Sequence, residues 1–391
     1  LDVIVYGATG FTGRQAAAYL HAHAPEGLRW GIAGRNQAKL ADIAVACGNP
    51  PVIVADSQDP ASVSAMVAQT RVVLTTAGPF CKYGDPVVDA CVEHGAHYAD
   101  ITGETPWARR VIDRHHDAAK AAGTVLLPFS GFDSVPSDLG TWWFVRQLQD
   151  EGHQVRSVQA VFSTKGGFNG GTLATARMLA ELYTPKEMAN PFLLDPDPKT
   201  ERERWTRHKD PMRPVFQPTL ERWVSPFLMG PVNTRVVRRS AALFQGRQQG
   251  YGPEFSYQEY MVGGRNKATA WSMTLALGGF GAVVQRPMGR QVVKRLGPKP
   301  GEGPSEAAMD GGFVKVRYIA ETDQGVQRAE LKADGDPGNR VTVRILCETG
   351  FALAEHGVHP GQGGVLTPAV ALGPVLQARL EATGAWSLAR V

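Results

Sequence analysis

Two rhythms of apolar and polar positions alternate through the first 150 residues. Short apolar runs rich in β-branched residues occur at Asp2–Tyr6, Leu28–Ala33, Val52–Ala55, Val72–Thr76, Ala96–Ala99 and Val125–Pro128. Each reads as a buried strand, and between them apolar positions recur at helical spacing. Helices are expected over Arg14–His23, Gln37–Cys47, Pro60–Gln69, Pro86–His94, Trp107–Ala122 and from about Pro136 to Gln149. Strand and helix in strict alternation predict a parallel sheet covered on both faces, a Rossmann-like α/β domain over residues 1–140.

Around residue 150 the pattern changes. Ser157–Thr164, Phe255–Val262, Phe313–Glu321, Gln327–Ala333 and Arg340–Glu348 read as strands of alternating character, predicting a second α+β domain over 141–349 with a mostly antiparallel sheet. Between them lie a glycine-rich loop from Lys165 to Thr172 with a helix Leu173–Leu182 after it, a Pro-rich and charged excursion from Thr184 to Val215 read as a mobile flap, and a Pro/Gly linker from Gly297 to Gly312. The tail from Thr367 to Ala382 is expected to be helical, with residues 350–391 packing back on the first domain. Ala268–Gln285 carries no charge between flanking cations. It is short for a bilayer span; a core strand Thr269–Leu277 running into a helix Ala282–Leu296 is expected, with contact to a membrane surface or lipid through 268–285 as the alternative.

The first turn carries the chemistry. After the opening strand comes Gly7-Ala8-Thr9-Gly10-Phe11-Thr12-Gly13, then a helix. Gly7 permits a tight exit from the strand. Gly10 lets a pyrophosphate approach the backbone, and Gly13 brings the helix close to the sheet. The free N–H groups and dipole of the helix start then hold phosphate. Gly7, Thr9, Gly10, Phe11, Thr12 and Gly13 are therefore assigned to a dinucleotide. The second strand ends Ala33-Gly34-Arg35-Asn36, with no acid to accept from a ribose hydroxyl. Arg35, with Asn36, matches a 2′-phosphate instead, which predicts NADP over NAD. Asp56 at the third strand end is placed near the adenine or in a helix-capping turn. Ala77, Gly78 and Pro79 stop the fourth strand where the nicotinamide should pass.

Substrate-side candidates follow. Tyr83 reaches the substrate or packs on the next helix. Thr102 and Glu104 lie at the sheet's ligand-binding edge and read as caps of the helix that follows. The loop Gly131-Phe132-Asp133-Ser134-Val135-Pro136-Ser137-Asp138 is dense in polar groups just after a buried strand, so Asp133 and Ser134 can face the cleft. Lys165 and Thr172 sit on the glycine-rich loop.

Composition removes several classes. A 391-residue chain with 43% hydrophobic and 20% charged residues is ordinary globular material, long enough for two domains. Its net charge of +4 comes without a basic stripe, so nucleic acid is not expected. The four cysteines form no CxxC pair, and His94, His97 and Asp100 straddle a helix end and a strand, so no metal is expected. A reduced, cytoplasmic setting is the simplest expectation, with membrane association the alternative. No tyrosine has lysine four residues on, which removes the short-chain dehydrogenases.

Taken together, these blocks resemble the saccharopine dehydrogenase-like oxidoreductases, and within them the branch of the trans-acting enoyl reductases. The resemblance extends through Tyr98-Ala99-Asp100-Ile101-Thr102-Gly103-Glu104, Gly170-Gly171-Thr172, Pro300-Gly301-Glu302-Gly303-Pro304-Ser305, Gly335-Asp336-Pro337-Gly338 and Gly363-Gly364-Val365-Leu366-Thr367-Pro368-Ala369. It implies an NADPH-dependent reductase of an enoyl or acyl-type substrate, small or linked to an acyl carrier or CoA, and a homodimer formed through the second domain. On this reading Tyr83, Asp133, Ser134, Lys165 and Thr172 are the candidates for catalysis. Two alternatives stay open: a saccharopine-type imine dehydrogenase, and a non-catalytic NADP-binding sensor. The scarcity of cations in the cleft loops, Lys82 and Lys165 alone, favours the acyl substrate.

Overall fold

The computed structural model describes residues 1–166, 178, 180–196, 202–264, 266–296, 301–356 and 362–391. Two seven-stranded sheets organise them. The first is parallel throughout, in the order β3-β2-β1-β4-β5-β6-β13. Its strands are β1 (Val3–Tyr6), β2 (Trp30–Gly34), β3 (Val52–Val54), β4 (Val72–Thr75), β5 (His97–Asp100), β6 (Val125–Leu127) and β13 (Gly364–Val365). The order reverses between β1 and β4, the crevice where doubly wound sheets bind ligands. β1 shows why both faces must be covered. Val3 and Val5 enter one apolar core and Ile4 and Tyr6 the other, because successive side chains leave a strand on opposite sides.

The second sheet runs β14-β12-β11-β7-β10-β9-β8. It comprises β7 (Val155–Lys165), β8 (Val215–Gln217), β9 (Arg222–Pro226), β10 (Ser256–Val262), β11 (Phe313–Thr322), β12 (Gly325–Asp334) and β14 (Trp386–Arg390). All its pairings are antiparallel except β7 with β10. Val158, Ala160 and Phe162 of β7 face inward and join the same core as Val3, Val5 and Leu74 of the first sheet. The helix Val135–Asp150 lies in that shared core, burying Leu139, Phe144 and Leu148.

Several expectations are corrected. Arg340–Glu348 is not a strand: the helix Thr342–His356 occupies it and packs on the first sheet, with Gly350 against Leu74. Val341, Val343 and Ile345 alternate as in a strand, but this helix is covered on several sides, which erases a one-sided pattern. A domain boundary at 349 therefore falls inside a helix. Thr269–Leu277 is not a strand either; one helix spans Lys267–Gln285, and a second, Pro287–Leu296, follows the break at Arg286-Pro287. The Thr184–Val215 excursion is not a loose flap throughout, because Phe192 and Leu194 are buried. The Gly297–Gly312 linker holds a short helix, Glu306–Asp310. Of the glycine-rich loop, residues 167–172 lie outside the described residues, and so does most of the helix expected at Leu173–Leu182.

Candidate functional site

The glycine turn closes tightly on its neighbours. Gly7 has φ +87°, and a Cβ there would lie 2.9 Å from the Ala77 nitrogen. A Cβ on Gly13 would meet the Gly7 carbonyl oxygen at 2.2 Å, so any side chain would push the helix Phe11–His23 off the strand. Gly10 N–H donates to the Gly7 carbonyl at 3.0 Å, closing the turn. No side chain caps the helix at Gly10, so the amides of Phe11, Thr12 and Gly13 are left for an anion. Arg14 donates to the Thr9 carbonyl at 3.2 Å and braces the loop from outside. Ala77, Gly78 and Pro79 stand directly opposite, with Thr76 donating to the Gly7 carbonyl at 3.2 Å.

At the end of β2, Arg35 is exposed and makes no hydrogen bond or ion pair among the described residues. Tyr6 lies within electrostatic reach of both Arg35 and Asp56, and burial raises its phenol above the ordinary range. Arg35 is thus free to take a phosphate. Asn36 has a structural duty: its side chain accepts from Lys39 N at 3.0 Å and caps the helix Gln37–Ala46. Asp56 accepts from Gln58 N at 3.0 Å in a turn, and Asp59 caps the next helix. Glycine cradle, uncapped helix start and free guanidinium fit a dinucleotide phosphorylated at the 2′ position.

On the substrate side, carboxylates hold loops together by their backbone amides. Glu104 does not cap its own helix. Its carboxylate accepts from Phe80 N at 2.8 Å and Cys81 N at 2.7 Å, capping the short helix Phe80–Tyr83 across the crevice. Burial, with Glu104 beside it, pushes the Cys81 thiol up to about 12, so it is not a thiolate nucleophile. Asp100 accepts from the Tyr98 hydroxyl, Thr102 N and Phe129 N at 2.6, 2.9 and 3.1 Å, tying β5 to the strand beside it. Asp138 accepts from Ser240 and from Ala369 N. Burial raises Asp100 and Asp138 to about 7.

Asp133 differs. It is half-buried, and its carboxylate has no hydrogen-bond or ion-pair partner among the described residues. A Cβ built on Gly103 would lie 3.7 Å from Met229 Cε, 3.9 Å from Asp133 Oδ2 and 4.0 Å from Val232 Cγ2. One carboxylate oxygen and two methyl groups therefore converge on bare backbone. Burial alone raises Asp133 to about 6. Ser134 is fully buried and faces inward: its hydroxyl donates to Asn233 Oδ1 at 3.2 Å, and Asn233 donates to Glu259 at 3.0 Å. Glu259 also accepts from the Tyr257 hydroxyl at 2.7 Å and is raised by burial to about 7. Ser134 thus couples the Asp133 loop to β10. Tyr83 is half-buried, with Lys82 Nζ 5.1 Å from its ring centroid. Lys165 is exposed at the end of β7, and no contact ties it to Tyr83 or Asp133 among the described residues. Thr172 lies outside the described residues.

An apolar wall escaped the sequence reading. Phe162 stacks on Phe227 with centroids 4.3 Å apart, and Phe132 meets Phe162 edge-on at 6.3 Å. Leu228 is exposed and Met229 half-buried on the same loop. The run Pro226-Phe227-Leu228-Met229-Gly230-Pro231 was its available signal, an apolar stretch bracketed by turn residues.

A helix missed in the sequence, Gly230–Gly246, backs this wall and buries Arg235, Arg238 and Arg239. Arg235 donates to the Met188, Ala189 and Asn190 carbonyls and pairs with Asp210. Arg238 donates to Pro191 and Tyr257 carbonyls, and Arg239 to those of Leu194 and Val365. Arg109 adds bonds to the Leu193 and Asp195 carbonyls. All four guanidiniums are engaged by the protein itself.

Residues 3–127 match the family described as saccharopine dehydrogenase NADP binding domain. A Mycobacterium tuberculosis protein provisionally named a trans-acting enoyl reductase is 38% identical, over 98% of this chain and 96% of its own. The trans-acting enoyl reductases of Mycobacterium bovis and Mycobacterium ulcerans are each 33% identical over the same shares. Apo saccharopine dehydrogenase (L-Glu forming) of Saccharomyces cerevisiae superposes on 100% of this chain and 99% of its own, with a TM-score of 0.58 at 14% identity, a likeness of fold.

Proposed function

Because the chain belongs to the saccharopine dehydrogenase-like oxidoreductases, in the branch of the trans-acting enoyl reductases, we propose that this NADP-dependent oxidoreductase reduces the double bond of an acyl thioester, with Asp133 managing the proton. The unpartnered carboxyl of Asp133 among Gly103, Met229 and Val232 is the observation that carries this reading.

NADPH, when bound, supplies the hydride. The protein's part is placement and proton control. Gly7–Gly13 hold the diphosphate by backbone amides, and Arg35 takes the 2′-phosphate. Half-buried Phe227 and Met229, with exposed Leu228, offer an apolar surface suited to an acyl chain, and Phe132 and Phe162 pack behind it. Asp133 lacks hydrogen bonds that would stabilise its anion, so it holds a proton further into the neutral range than a solvated aspartate. It can deliver that proton to the α-carbon. Tyr83 stands at the same sheet edge as a donor toward a thioester oxygen.

The buried arginines bear on the alternative substrate. A polyanionic amino acid needs several free cations. Arg109, Arg235, Arg238 and Arg239 are committed to backbone carbonyls, and among the described residues exposed Lys82 and Lys165 remain near the cleft, with Arg110 donating to the Tyr183 hydroxyl.

The test is NADPH oxidation with trans-2-enoyl thioesters of increasing chain length, run beside a panel of amino-acid imines. Turnover with thioesters is expected. Asp133→Asn should lower kcat roughly 10²-fold or more with NADPH affinity unchanged. As an acid, Asp133 must be protonated, so kcat should fall as pH rises through about 6. The asparagine variant should show no such fall. Turnover confined to imines would overturn the reading.

A further inference from the structure

The helix Lys267–Gln285 is bound at one end and bare along most of its length. Ser225 donates to the Ala270 carbonyl at 3.0 Å, and Ala270 seats against Gly263, fixing the helix start on β9. Beyond that anchor only Val284 is buried. Trp271, Leu275, Phe280 and Val283 are all exposed, Leu275 by 67%. At a helical advance of about 100° per residue, these four spread across half the circumference away from the line through Ala270 and Val284. The following helix, Pro287–Leu296, adds Met288 and Val292 on one face, exposed by 82% and 50%.

Charge is just as one-sided. Between Glu259 and Glu302 the sequence contains seven lysines and arginines and no acidic residue. From Ala268 to Gln285 it carries no charge at all. The hydroxyls of that stretch are turned inward: Thr269 donates to the Asn266 carbonyl, Ser272 to Ala268 and Thr274 to Ala270. Hydroxyls satisfied by their own helix are what a polar side chain needs in an apolar medium. Arg290 bonds the Gln285 carbonyl at 3.1 Å and so ties the two helices together.

We infer that this helical pair lies on an anionic lipid surface, the apolar side chains of Lys267–Gln285 at the acyl boundary and exposed Arg286 and Arg295 at the phosphates. A second copy of this chain fits less well, since a two-fold interface would bring cation against cation. A protein partner would cover one stripe, whereas apolar side chains here cover half a cylinder. No helix among the described residues is long and apolar enough to cross a membrane, so the contact is interfacial. The patch borders the cleft: Arg290 reaches the Ala180 carbonyl at 3.5 Å, and Met178 contacts Cys81, the thiol beside Glu104, at 3.2 Å.

The full chain is floated with phosphatidylcholine vesicles, with and without phosphatidylglycerol. Flotation is expected only with the anionic lipid and should decline as salt rises. Leu275→Glu with Phe280→Glu, both at exposed positions, should weaken it roughly tenfold or more while NADPH binding is retained. Absence from the anionic vesicles overturns the assignment, and so does undiminished binding by the double variant. A dimer dissociated by these two substitutions would hand the face to a second copy and equally overturn it.

Discussion

Two parts of the molecule solve one problem with opposite charges. At the edge of the first sheet, carboxylates gather backbone amides: Asp100 takes those of Thr102 and Phe129, Glu104 those of Phe80 and Cys81, Asp138 that of Ala369. Behind the apolar wall, guanidiniums gather backbone carbonyls from residues 188–195. In both places a buried charge is tolerated because irregular backbone surrounds it with the complementary end of the peptide dipole. A buried charged group without such an engagement is therefore informative. Asp133 stands out in this way at the cleft, while Arg35 is exposed at its outer rim and free for a ligand.

That contrast can be broken experimentally. Arg239→Met should have the largest effect, because it strands the carbonyls of Leu194 and Val365 at once. A loss of about 2–5 kcal/mol in urea unfolding is expected, with earlier proteolysis around residues 188–195. Glu104→Ala strands two amides and should cost about 2–4 kcal/mol. Glu104→Gln retains an acceptor and should cost roughly half of that, a difference that separates hydrogen bonding from charge.

Asp138 sharpens the comparison through pH. Its pKa in the folded protein is about 7, above the ordinary 3.8. The folded state thus holds a proton the unfolded chain has lost, so this contribution is complete below about pH 4 and disappears as pH rises through 7. Stability should drop by about 2–3 kcal/mol between pH 5 and 8 from this group, and Asp138→Asn should remove that share of the slope in thermal melts while the shares of Asp100 and Glu259 stay. Arg35→Ala should leave stability unaltered within about 0.5 kcal/mol. It should cost about tenfold in affinity for NADPH, with NADH unaffected in a titration followed by fluorescence.

What the sequence revealed divides along the same line. The glycine turn was legible because its constraints are local: Gly7 and Gly13 are needed by atoms a few residues away or on the adjoining strand. The alternation of strand and helix to residue 150 was legible for the same reason. Glu104 was misassigned, since nothing nearby in the chain indicates that its carboxylate crosses to Phe80. The helix Gly230–Gly246 was invisible because three arginines on its buried side contradict the rule that charge marks the outside. Arg340–Glu348 was read as a strand because β-branched residues alternate there, and the packing that overrides that preference comes from a sheet whose preceding strand ended at Leu127, far back in the chain. The apolar wall of Phe162 and Phe227 unites side chains from β7 and the turn after β9, a meeting no local pattern announces.

One thread through the fold has a consequence for biosynthesis. β13 completes the margin of the first sheet and β14 that of the second, and both are supplied by residues 364–390. Arg239 joins these assemblies again by gripping Val365. While the ribosome is still reading the codons before this stretch, each layer lacks a border strand and the nascent chain carries two unfinished margins. Closure of both must wait for that same stretch, so the two layers are completed together rather than one after the other.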